Sequence, residues 1–89
     1  MKHARPEDLK EVEPLLIQIR RINNLKEKQT GHFYFRGINI VHFHIDNSRI
    51  FIDIGDSRTE IIFTDFAAQI DRILLEVRKY MQEVSQRKK

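Results

Sequence analysis

The chain has 89 residues, 40% hydrophobic and 33% charged, with no cysteine and a formal net charge of +3. That composition suits one soluble globular domain with a modest core, and it excludes thiol catalysis, disulfides and thiolate zinc sites. The pI of about 9.5 permits an anionic partner without requiring one.

A single domain over residues 1–89 is expected, frayed at 1–5 and 86–89. No apolar run is long enough to span a bilayer, and the opening MKHARPEDLKEVEP lacks the apolar core of a signal peptide. A cytoplasmic protein away from membranes is the default. Pro6, Glu7 and Asp8 read as a helix start, with proline in the first turn and acids at the positive end of the dipole. Leu9, Val12, Leu16, Ile19 and Ile22 recur at three- and four-residue spacing as one helical face, widened by Leu15. Pro14 either kinks that helix or restarts it after a short first turn. Asn23 and Asn24 are stop residues.

Residues 25–31 are polar and end in a turn. Residues 32–36, HFYFR, alternate as a strand. A tight loop at 36–38 leads to a second strand over 39–45. Asn47–Ser48 is a two-residue turn into a third strand over 49–54. The loop 55–58 leads to a fourth strand over 59–64. Asp65 is a predicted N-cap. Phe66, Ile70, Ile73, Leu74, Val77, Met81 and Val84 then form a second amphipathic helix to about Ser85. The order α-β-β-β-β-α predicts an α+β two-layer sandwich: a four-stranded antiparallel meander with both helices on one face. The face toward the helices carries Phe33, Phe35, Val41, Phe43, Ile45, Ile50, Ile52, Ile54, Ile61 and Phe63.

The other face is polar in an unusual way. A two-residue turn at Asn47–Ser48 sets His42 opposite Asp53 and His44 opposite Phe51. A four-residue loop at 55–58 sets Asp53 opposite Glu60 and Phe51 opposite Ile62. A three-residue loop at 36–38 sets His32 opposite His42. The outer face then carries a row of His32, His42, Asp53 and Glu60, with Tyr34, Ile40, Phe51 and Ile62 around it. Asp53 facing Glu60 repels, so a protonated histidine, an arginine or a metal is expected nearby.

Three functions are weighed, two of them resting on this face. Tyr34, Ile40, Phe51 and Ile62 are large apolar groups that the helices leave uncovered, so a homodimer or other protein contact through the open sheet is the first expectation. Metal or acid–base chemistry is the second, with His42, His44 and Asp53 as the ligand set and His32 and Glu60 behind them. Strands about 4.8 Å apart spread the whole row over roughly 14 Å, too far for one ion. Nucleic-acid binding is third: Arg20, Arg21, Arg78, Lys79 and residues 87–89 are basic, but they are scattered, and the sheet carries carboxylates that phosphates avoid. No glycine-rich phosphate loop, nucleophile elbow or dinucleotide fingerprint occurs. The balance is against an enzyme, and the only cofactor in view is a divalent metal.

The segment GHFYFRGINIVHFHIDNSRIFIDI, residues 31–54, resembles a family of small uncharacterised bacterial proteins. In that family an aromatic strand precedes an HFH-type strand, and an aspartate lies on the next. The upstream RPEDLKEVEPLLIQIRRI fits the same pattern. The resemblance implies a bacterial-type soluble domain and adds weight to His42, His44 and Asp53. It implies no reaction.

Overall fold

A computed structural model describes residues 1–87. The architecture is α+β, an antiparallel sheet joined to two helices through one apolar core. Among the described residues the sheet has six strands rather than four: β1 (Lys2–His3), β2 (Lys26–Gln29), β3 (His32–Phe35), β4 (Ile38–Asp46), β5 (Arg49–Ile54) and β6 (Ser57–Glu60). Strands β2 to β6 run in sequential order, and β1 pairs with β4. Both additions fall on segments without hydrophobic alternation. The Lys-Glu-Lys-Gln of β2 is a charged edge, the composition that blunts strand-to-strand aggregation.

Pro14 restarts the first helix. A 3₁₀ helix, Pro6–Val12, precedes α1 (Glu13–Arg20), and Pro14 sits in the first turn of α1. Proline has no N–H to donate, and the first turn of a helix needs none. The helix α2 (Phe66–Arg87) follows a short 3₁₀ turn, Phe63–Asp65. The Asp65 carboxylate immediately before α2 accepts a hydrogen bond from Arg72 Nη2 at 2.9 Å. Among the described residues no helix is long and apolar enough to cross a membrane.

The predicted helical stripes face the core. Leu9, Val12, Leu15, Leu16 and Ile19 meet Ile73, Val77, Met81 and Val84 over the inward sheet residues Phe33, Val41, Phe43 and Ile52. Burying side chains of this size stabilises the fold by about 1.5–3 kcal/mol each. Gln69 is the one buried polar side chain of α2. It donates from Nε2 to the Glu60 carbonyl and accepts from the Ile62 N–H, each at 2.8 Å. One amide thereby satisfies the backbone where the sheet ends and stitches it to the helix.

Three turns decide what lies on the outer face. Asn47 and Ser48 both have positive φ, the two-residue geometry expected there, and they set His42 opposite Asp53 and His44 opposite Phe51. The next connection departs from expectation. Gly55 takes φ +59°, and a Cβ there would lie 2.7 Å from the Tyr80 ring, so any other residue is strained and must displace Tyr80. The turn closes over Gly55 and Asp56, pairing Ile54 with Ser57. The last strand therefore ends at Glu60, two residues further back in register. Asp53 faces Arg58 instead of Glu60, and Phe51 faces Glu60 instead of Ile62. Ile62 and Phe63 lie beyond the strand and are 43% and 44% exposed, so Phe63 is not a core residue.

The second departure is a bulge in β4. Arg36 and Gly37 form a two-residue turn with positive φ at both, pairing Phe35 with Ile38 and Tyr34 with Asn39, whereas Phe33 pairs with Val41. Ile40 is the extra residue. A bulge re-aims the side chains around it. Ile40 turns into the core and is fully buried, correcting its expected place on the outer face. Asn39 turns outward, into reach of His42.

Candidate metal centre

Asp53 is the centre of the outer face and is only 7% exposed. Strand alternation brings His42 and His44 of β4 to the same side as Asp53 of β5. His42 Nε2 and His44 Nδ1 each lie 3.2 Å from Asp53 Oδ2. Arg58 supplies the cation that the sequence calls for. It donates from Nε to Asp53 Oδ1 at 2.7 Å and from Nη2 to Oδ2 at 2.8 Å. The same Nη2 is 3.4 Å from His44 Nδ1. Asp53 is thus a carboxylate approached by two imidazoles and a guanidinium.

All four histidines of the chain gather here. His3 reaches the site because β1 pairs with β4, His3 opposite His44. The ladder continues through the Ala4 N–H, which donates to the Phe43 carbonyl at 3.1 Å. Residues 1–5 are therefore no loose arm, and Ala4 is buried. The His3 ring lies 4.5 Å from His44 and 5.8 Å from His42, centroid to centroid. His32 stacks on His42, nearly parallel at 6.3 Å. Glu60 is not behind the ligand set. Its carboxylate takes Arg49 Nε and Nη2 at 3.0 and 2.9 Å.

Protonation follows from these contacts. The bidentate hydrogen bonds of Arg58 hold the Asp53 carboxyl below the usual carboxylate range. Burial pushes His32, His42 and His44 below the ordinary imidazole value, and Asp53 opposes this at His42 and His44 without reversing it. Neutral rings beside an ionised Asp53 are the charge states a metal needs, since ligands bind through lone pairs.

Asn39 orients one of those rings. Its Oδ1 lies 2.9 Å from His42 Nδ1. With Oδ1 accepting, the proton of the neutral ring sits on Nδ1 and Nε2 carries the lone pair, 3.2 Å from Asp53 Oδ2. Two acceptors that close repel unless a cation joins them. Turning the amide over puts the proton on Nε2 and removes that lone pair. Asn39 thus selects between a ring ready for metal and one protonated at the ligating nitrogen, the role that outer partners of ligating histidines commonly play.

His42, His44 and Asp53 present one ligand atom each, all within 4.8 Å of one another. A tetrahedral zinc with bonds of about 2.0–2.1 Å separates its ligand atoms by about 3.3 Å, close to the two 3.2 Å spacings. An open groove of about 560 Å³, lined in part by His3, His32, Tyr34, Asn39 and His42, adjoins the cluster and gives an entry path.

The apolar patch is smaller than expected. Ile40 is in the core, and Phe51 and Tyr34 are half-buried. The Arg49 guanidinium lies 5.3 Å from the Phe51 ring centre and Lys28 4.7 Å from that of Tyr34. Ile62 alone is well exposed among the four. Of the basic residues, Arg20 is tied to Glu13 and Glu27. The residues that the sequence did not reveal are His3, Asn39 and Arg58. No family model, curated protein or solved structure matches this chain, so no relative assigns a role to the cluster.

Proposed function

We propose that the outer sheet face binds a divalent transition metal through His42 Nε2, His44 Nδ1 and Asp53 Oδ2. The observation that supports this most is the 3.2 Å distance of each ring nitrogen from Asp53 Oδ2. Nitrogen donors favour zinc, nickel or copper over calcium and magnesium. Arg58 is the competitor. Its guanidinium occupies both Asp53 oxygens, and metal entry requires it to leave Oδ2. Its side chain is 46% exposed, so water receives it when it swings out. The metal then takes over the neutralisation of Asp53 that Arg58 provides without it.

The test is a thermal-shift titration with zinc, nickel, manganese and calcium on wild type and His42→Ala. A ligand at a hundred times its dissociation constant adds about 2.7 kcal/mol, a rise of about 10–20 °C in a domain this small. A rise with zinc or nickel that His42→Ala loses supports the reading. No rise with any metal sinks it.

Self-association through the exposed residues that follow the last strand is the second reading. The exposure of Ile62 beside Phe63 favours it. Sedimentation equilibrium checks it: a dimer that Ile62→Asp dissociates supports it, and a monomer at all concentrations removes it.

A further inference from the structure

Granting the divalent-metal reading, on which this rests, we infer that His3 is the fourth ligand. It takes the coordination position nearest the one Arg58 vacates, so that docking of β1 and metal binding are coupled. The argument is geometric. Imidazoles bound to one tetrahedral ion at about 2.05 Å place their ring centres about 5 Å apart. The three rings here stand at 4.5 Å (His3 to His44), 5.0 Å (His42 to His44) and 5.8 Å (His3 to His42). Those values bracket the expected one. His32 is 5.7 Å from His3 but 6.3 Å from His42 and nearly parallel to it, outside the range of the other three.

His3 is not yet in bonding position. The preformed trio is His42, His44 and Asp53, and Arg58 Nη2 lies against His44 Nδ1 at 3.4 Å. His3 is exposed, so its ring is free to rotate inward. Its backbone is already fixed. His3 pairs with His44, and the Ala4 N–H donates to the Phe43 carbonyl.

The consequence is a site of two kinds. With His3 bound, three imidazoles and one carboxylate fill a tetrahedron, the closed arrangement of structural and sensing centres. With β1 undocked, the fourth position is open to water, the arrangement of catalytic centres. Because β1 is only two residues long, a metal bond adds substantially to what holds it. Metal binding then strengthens docking of the N-terminal strand, and docking strengthens metal binding by the same factor.

The experiment uses cobalt(II) as spectroscopic probe and zinc by competition, on wild type, His3→Ala and Ala4→Pro. Ala4→Pro removes the N–H that docks β1 while keeping the imidazole. Expected are an intense visible band for wild type, as tetrahedral cobalt gives, and a shifted, weaker one for both variants as water replaces the third imidazole and the coordination number rises. Zinc affinity falls at least about tenfold in each. Variants with wild-type affinity and spectrum overturn the role of His3 and leave the three-ligand site standing. A wild type that takes up neither metal overturns both.

Discussion

Replacing Arg58 with methionine separates two free energies that have opposite signs in this account. The substitution keeps the length of the aliphatic chain and removes the charge. In the absence of metal it deletes two charge-assisted hydrogen bonds to Asp53, at 2.7 and 2.8 Å. Such bonds are worth about 1.5–3 kcal/mol each when well shielded. Here the arginine side chain is 46% exposed, so solvent screens the pair and leaves only a small part of that strength. The melting temperature with chelator present then falls by a few degrees. Wild type forfeits those same bonds when metal takes Asp53 Oδ2, and the variant has none to forfeit. Its zinc affinity therefore rises severalfold. Scanning calorimetry in chelator and isothermal titration with zinc measure the two effects. A variant that loses stability without gaining affinity refutes the exchange of Arg58 for metal.

Other outcomes follow from particular residues. Because His32, His42 and His44 titrate below the ordinary value of 6.5, the unfolded chain binds more protons than the folded one below that value. Their contribution is intact above pH 6.5 and is lost as pH falls through the folded values, so urea midpoints decline between pH 7.5 and 5.5. A flat profile contradicts the burial of these rings. Gly55→Ala forces a side chain into a left-handed turn against Tyr80 and costs more than about 1 kcal/mol, read as a lowered urea midpoint. An unchanged midpoint means the turn relaxes freely. Ile40→Ala costs about 2–5 kcal/mol, whereas Ile62→Ala stays within about 0.5 kcal/mol. The reverse order places Ile40 back on the surface. Asn39→Ala weakens zinc binding about 10- to 100-fold, and equal affinity removes Asn39 from the site.

Much of the site was legible in the residues because strand periodicity and the Asn47–Ser48 turn sufficed. They put His42 opposite Asp53 and His44 opposite Phe51, as the structure has them. The two helices were legible through their stripes, and Pro14 through its lack of a donor. What was hidden came from local backbone choices. A two-residue turn at Gly55 needs the glycine in a left-handed conformation beneath Tyr80, a tertiary fact. It moves β6 by two residues, which preserves the faces but exchanges Glu60 for Arg58. The bulge at Ile40 leaves no mark on composition, yet it sends an isoleucine inward and an asparagine outward. Strand β1 is too short to show alternation, so His3 could be placed only by its pairing with β4. The expected clash of two carboxylates still carried information, since the cation it demanded is present as Arg58.

The most direct measurement of the central claim is the nitrogen chemical shifts of the imidazoles in uniformly labelled protein, before and after one equivalent of zinc. The account expects His42 Nε2 and His44 Nδ1 to move together to metal-bound values while His42 Nδ1 keeps its proton on Asn39. Imidazole shifts that stay where they were, with zinc in excess, contradict it.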